Sequence, residues 1–190
     1  MTLVLFAHGA GAPSSSAWMR RWRKLLGAVG DVVSFDYPYM RAGRKRPDPH
    51  ETLVEAHDKA LARARKDHAR VVLAGKSMGG RIGCHLALRR QIDALVCLGY
   101  PLLSPAGKMR DEVLVQLRTP ILFVQGTRDP LCPLELLEEV RARMQTRHAL
   151  YVIETGDHSL VAAKRWLARV GKTQAQIESE AIDAITSFMR

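Results

Sequence analysis

At 190 residues the chain has the length of one domain, residues 1–190, since a single hydrophobic core accommodates this size without division. A hydrophobic share of 47% beside 25% charged residues excludes a disordered chain, and no apolar run approaches the roughly 20 residues of a membrane span. The formal charge of +10 raises a polyanionic partner, but the Lys and Arg residues are scattered along the chain without a recognition-helix, zinc-finger or aromatic-interleaved pattern. A solvated arginine-rich surface is expected, with neither nucleic acid nor a membrane as partner.

The apolar stretch Thr2 to Ala7 predicts a buried first strand. It has neither the basic leader nor the cleavage site of a secretory signal, and Cys84, Cys97 and Cys132 show no Cys-x-x-Cys spacing. Free thiols and a cytoplasmic location are expected. Trp18, Trp22, Leu25 and Leu26 recur at helical spacing after Ser14 to Ser16, and Gly27 to Gly30 closes that helix. Val32 to Phe35 reads as the second strand, and the proline-rich basic stretch Tyr37 to Pro49 as a loop. His50 to Asp67 reads as a helix, followed by the strand Val71 to Ala74 and a helix over Met78 to Arg90.

Further strands are predicted at Ala94 to Leu98, Ile121 to Gln125 and Leu150 to Ile153, with a helix at Leu134 to Met144. Ser159 to Gly171 fits either a short helix or a long loop. Thr173 with Gln176 makes a capping box that opens the last helix, toward Phe188. Strands alternating with helices predict an α/β fold: a three-layer α/β/α sandwich on a mostly parallel sheet of about six strands.

Gly75-Lys76-Ser77-Met78-Gly79 matches G-x-S-x-G, and it stands where that pattern carries chemistry, between a strand and a helix. Such a turn exposes the serine hydroxyl while the glycines let strand and helix approach. A phosphate-binding P-loop would need glycine at position 70, where the chain has Arg70, and a flexible loop in place of an apolar strand. A serine nucleophile needs a base and an acid, and in this strand-turn-helix setting they follow in the order Ser, Asp, His. Asp129, in Gly126 to Pro130, and His158, in Gly156 to Ser159, each follow a predicted strand, so Ser77, Asp129 and His158 are the expected catalytic residues. Asp157 is a poorer acid, since sequence neighbours rarely present side chains to one another. His50, His57, His68 and His85 fall on or beside predicted helices, where a structural histidine is the usual case, and His148 precedes a strand. His8-Gly9-Ala10-Gly11 ends the first strand; its glycines suit an oxyanion turn in which the N–H groups of Ala10 and Met78 are the donors and His8 is structural.

With these residues in place, the chain resembles the α/β-hydrolase superfamily, and within it the short, lidless hydrolases related to dienelactone hydrolase and to the testis-expressed hydrolase-like proteins. The segments Ala7 to Gly11, Tyr37 to Met40, Gly75 to Arg81, Gly99 to Leu102, Gly126 to Pro130 and Gly156 to Leu160 carry the likeness. The resemblance implies the same triad, a sheet that begins at the superfamily's third strand, and no cap domain. Where that branch often carries a histidine, this chain has Leu103. Gly11, Tyr37, Lys76 and Tyr100, in or beside these segments, are the expected substrate-binding residues, with a small acyl compound as partner and no cofactor or metal. Hydrolysis of a small carboxylic ester or thioester is the expected activity; a non-catalytic binding protein that uses its basic surface for an acidic partner is the alternative.

Overall fold

The computed structural model describes residues 1–66 and 68–190. β1 (Thr2–Ala7), β2 (Asp31–Phe35), β3 (Arg70–Lys76), β4 (Ala94–Leu98), β5 (Ile121–Gly126) and β6 (His148–Ile153) form one sheet in the order β2-β1-β3-β4-β5-β6, and each neighbouring pair is parallel. The helices are α1 (Ala17–Leu26), α2 (Pro38–Arg41), α3 (His50–Arg65), α4 (Met78–Ala87), α5 (Glu112–Gln116), α6 (Leu134–Arg141), α7 (Lys164–Val170) and α8 (Gln174–Phe188).

Strand side chains alternate between the two faces of a sheet, and the core divides accordingly. Leu3, Leu5, Leu73, Cys97 and Phe123 join Leu53 of α3, Ile82 of α4 and Leu137 of α6 on one face. Val4, Phe6, Ala74, Val96 and Val124 join Trp22 of α1 and Ile185 of α8 on the other. Each fully buried aliphatic or aromatic side chain stabilises the fold by about 1.5–3 kcal/mol before conformational entropy is counted. Both faces being covered explains why the strands read as continuous apolar runs. The chain runs outward from β1 to β2, then back across β1 to β3, so its winding direction reverses between β1 and β3. A crevice opens at the carboxyl ends of strands at such a reversal.

Several boundaries differ from the sequence reading, each for a local reason. The stretch 37–49 is not all loop: Pro38 starts α2, where its fixed φ suits a first helical position, and Tyr39 is buried beneath it. α4 stops at Ala87 rather than Arg90, since Arg89 and Arg90 turn aside to form paired hydrogen bonds with Glu51 and Asp58 of α3. α6 ends at Arg141, before Met144, and β6 begins earlier, at His148. α5 had no predicted counterpart; its five residues are too few to show a period, yet Val113 and Leu114 are buried. Within 159–171 the chain forms α7, closed by Gly171 in the left-handed region at φ 66°. α3 is helical to Arg65; its predicted end, Asp67, lies outside the described residues. The Thr173–Gln176 capping box is present at the start of α8.

His57 on α3 is buried, with Nδ1 3.1 Å from the Tyr37 hydroxyl and Nε2 without a partner among the described residues. Burial drives its pKa from 6.5 down to about 3, with Asp58 opposing weakly. Between pH 6.5 and about 3 the unfolded chain therefore binds a proton that the folded chain refuses, and stability falls as pH falls. Urea unfolding should show a lower midpoint at pH 4.5 than at pH 7, and His57→Gln, neutral throughout yet able to meet Tyr37, should recover part of that difference.

Candidate active site

The carboxyl ends of β1 and β3 meet the first turn of α4 with no space for side chains. A Cβ on Gly79 would lie 2.5 Å from the Ala7 carbonyl oxygen, and one on Gly75 would lie 2.2 Å from the Gly80 nitrogen. Ser77 sits between them at φ 49°, ψ −116°, a strained conformation for a residue with a side chain. Its N–H donates to the Leu98 carbonyl at 3.1 Å and its carbonyl accepts from Arg81 N at 3.1 Å, which fixes the turn.

The loops after β5 and β6 bring two further side chains to this edge. His158 Nε2 lies 2.9 Å from Ser77 Oγ, and its Nδ1 lies 2.7 Å from Asp129 Oδ2. Because a carboxylate only accepts, Nδ1 carries the proton and Nε2 is left to accept from the serine hydroxyl. Asp129 is 3% exposed, yet its oxygens are well supplied: Gln125 Nε2 donates to Oδ2 at 2.5 Å, and Leu131 N donates to Oδ1 at 2.9 Å. Burial by itself would raise the Asp129 pKa; the hydrogen bond and charge of His158, with the Leu131 and Gln125 donors, outweigh it and hold the carboxyl below 3.8.

The turn after β1 is held rigidly. Tyr37 N donates to His8 Nε2 at 3.1 Å, so His8 is protonated at Nδ1, which contacts the Gly9 carbonyl at 2.6 Å. Burial lowers the His8 pKa despite Gly9 and Asp36, which favours this neutral form. The Tyr39 hydroxyl donates to the Ala10 carbonyl at 2.9 Å; burial, helped by Asp48 and Asp36, pushes its pKa up to about 12, so it remains a donor. Among the described residues, neither Ala10 N nor Met78 N has a hydrogen-bond acceptor. A cleft of about 410 Å³ opens beside Ser77 and His158, walled by Ala10, Gly11, Trp18, Met19 and Leu131.

The sequence pattern of the alpha/beta hydrolase domain matches residues 1–190. The chain belongs to that family. Its fold is shared with a dienelactone hydrolase from Anabaena variabilis, at 21% identity over 100% of this chain and 87% of that one, with a TM-score of 0.72. Est1E from Butyrivibrio proteoclasticus, solved with ferulic acid bound, superposes with a TM-score of 0.69 at 16% identity, covering 97% of this chain and 90% of that one. An alpha-beta serine hydrolase homologue from Coxiella burnetii gives 0.73 at 18%, over 94% and 84%. No cap interrupts this alpha/beta hydrolase: segment 99–120 between β4 and β5 holds only turns, one bridge and α5.

Of the residues expected at the site, Ser77, Asp129 and His158 form one hydrogen-bonded chain, while Gly11 and Lys76 line the cleft. Tyr37 and Tyr100 do not reach it. Both are fully buried: the Tyr37 hydroxyl turns to His57, and the Tyr100 hydroxyl donates to the Arg110 carbonyl at 3.1 Å. Tyr100 instead serves through its backbone, its N–H donating to Gln125 Oε1 at 2.9 Å and so orienting the amide that meets Asp129. Trp18, Tyr39 and Gln125 were missed. A glutamine ending a buried strand four residues before the expected acid was the one local signal available for them. No group of three or more His, Cys, Asp or Glu among the described residues is placed to hold a metal, and no helix is long and apolar enough to cross a membrane.

Held below 3.8 in the fold, Asp129 adds stability that is complete above that pH and is lost as pH falls through its lower folded value. Carboxyl ¹³C NMR should show Asp129 titrating below 3.8, and Asp129→Asn should flatten the acid limb of a plot of urea midpoint against pH.

Proposed function

We propose that this chain is a serine hydrolase that cleaves a small carboxylic ester or thioester through an acyl-enzyme. What carries the reading is the unbroken path from Ser77 Oγ, through both ring nitrogens of His158, to a buried Asp129, opening on an apolar cleft. As Ser77 Oγ attacks the acyl carbon, His158 Nε2 takes the hydroxyl proton and the carbonyl electron pair moves onto oxygen. The unpaired N–H groups of Ala10 and Met78 receive that oxyanion, and preorganised donors of this kind are worth about 3–4 kcal/mol each in the transition state. Collapse expels the alcohol or thiol, which takes the proton from His158. Water then attacks the acyl-serine by the same route and frees the acid.

The cleft favours a neutral acyl group. Trp18, Met19 and Leu131 are apolar, Gly11 leaves space along the floor, and the Lys76 ammonium is engaged elsewhere, as described below. Its volume of about 410 Å³ has space for a branched or aromatic acyl group, and an aromatic acid, ferulic acid, is bound in the Butyrivibrio protein that shares the fold. The three buried thiols suit a reducing compartment, and we place the enzyme in the cytoplasm.

A fluorophosphonate probe should label the wild type at Ser77. Ser77→Ala should lose labelling and reduce turnover of p-nitrophenyl acyl esters by at least about 10⁴-fold, in line with loss of a serine nucleophile elsewhere. A folded wild type that neither labels nor turns over any member of an ester and thioester panel would leave a binding protein on a hydrolase fold.

A further inference from the structure

Lys76 stands between the glycine and the serine of the elbow, yet its side chain turns away from Ser77 to the loop that carries His158. Its ammonium donates to the His158 carbonyl oxygen. The next carbonyl, that of Ser159, accepts from the Trp18 indole N–H at 2.8 Å. Nζ also lies 5.6 Å from the centre of the Trp18 ring, at cation–π distance. Two consecutive carbonyls of the histidine loop are thus gripped by two donors that themselves touch.

The surroundings leave space for this contact. Gly99, just after β4, has φ 67°, and a Cβ there would fall 2.7 Å from the His158 carbonyl oxygen and 3.1 Å from Lys76 Nζ. The loop is anchored on either side of the histidine: Arg128 N donates to the Gly156 carbonyl at 2.8 Å before it, and Gln174 Nε2 donates to the Leu160 carbonyl at 2.9 Å after it. Asp157 Oδ1 accepts from Ser159 N at 2.8 Å and Val161 N at 3.0 Å within the loop. Between those anchors, residues 158 and 159 are held by Lys76, Trp18 and the hydrogen bonds of the His158 ring.

We propose that Lys76 is a positioning residue for His158, and that its protonated ammonium keeps Nε2 in register with Ser77. The inference rests on the hydrolase reading above. The charged and titratable groups facing Nζ are Asp129 from the loop after β5, and Asp157 and His158 from the loop after β6. Burial lowers the Lys76 pKa from 10.5 to about 8, with Asp129 and Asp157 opposing. Above that pH the neutral amine still has N–H groups, but the charge-assisted bond and the cation–π contact both weaken. Folding does not suffer from this loss of the proton: between about 8 and 10.5 the unfolded chain holds it more tightly, so Lys76 contributes increasing stability as pH rises. Loss of activity in that window is thus separable from unfolding.

The test compares wild type with Lys76→Met and with Lys76→Cys alkylated by 2-bromoethylamine, which restores an amine less basic than lysine. The native cysteines are buried, and mass spectrometry locates the alkylation. The wild type should lose kcat on p-nitrophenyl butyrate above about pH 8 with its circular dichroism unchanged. Lys76→Met should lower kcat about 10- to 100-fold with KM within about twofold, the size expected of a base displaced by a fraction of an ångström to 1 Å, and should lack the alkaline limb. The alkylated variant should regain kcat with its limb moved to lower pH. Wild-type kcat and an unchanged limb in Lys76→Met, or an unmoved limb after alkylation, overturns the proposal. The downfield NMR resonance of the His158 Nδ1 proton gives a readout without turnover. Its weakening in Lys76→Met at pH 7 supports positioning even should the wild type prove inert and the hydrolase reading fail; its persistence unchanged overturns the proposal.

Discussion

The approach of α4 to the ends of β1 and β3 is the constraint on which the site depends. The backbones there leave no space for a Cβ at Gly75 or Gly79, so the chain must reverse from strand to helix within one residue. Ser77 takes the left-handed conformation that results, at a cost of about 1–3 kcal/mol, which the surrounding packing offsets. Since β1 feeds the turn that holds Ala10 and β3 feeds Ser77, the proposed oxyanion donors and nucleophile share one rigid junction. Neither can shift without moving the other.

The other half of the site combines close packing with hydrogen bonds: a Cβ on Gly126 would lie 2.2 Å from the Gly156 carbonyl oxygen. The loops after β5 and β6 are laced together by Arg128 N to the Gly156 carbonyl at 2.8 Å and Thr127 N to the Ile153 carbonyl at 3.2 Å. Asp129 is fixed from within this unit by Gln125 and the Leu131 N–H, and it fixes His158 in turn. Three contacts reach back across the cleft: the Ser77–His158 bond, the Lys76 contact with the histidine loop, and the Trp18 bond to the Ser159 carbonyl. Two of them start from adjacent residues of the elbow, which makes that short segment a main bridge between the two halves.

What was legible in the sequence was what short-range pattern determines. Buried parallel strands show as apolar runs because both faces are covered, the G-x-S-x-G spacing follows from the crowded junction, and the order Ser77, Asp129, His158 follows from parallel strands delivering residues to one edge. Side-chain direction at strand ends was not legible. Tyr37 and Tyr100 follow β2 and β4, as site residues would, but each phenol turns inward to a partner well away along the chain. The grip of Trp18 on Ser159 joins residues 141 positions apart, and nothing local announces it. α2 and α5 escaped notice because four or five residues cannot display a helical period, whereas α8, with its capping box and 15 residues, could be read directly.

The same reasoning separates the chain's overall charge from its chemistry. Arginines such as Arg89 and Arg90 pair with carboxylates at the surface, where water and salt screen each pair to little net stabilisation. Of the 29 Lys and Arg residues, Lys76 is the one among the described residues that lines the cleft, and it is also desolvated. An ammonium removed from water interacts with its neighbours far more strongly than one left in it. In the proposed mechanism the charged groups nearest His158 and Ser77 are therefore Lys76 and Asp129, and the net +10 of the chain, carried by surface arginine, bears little on that chemistry.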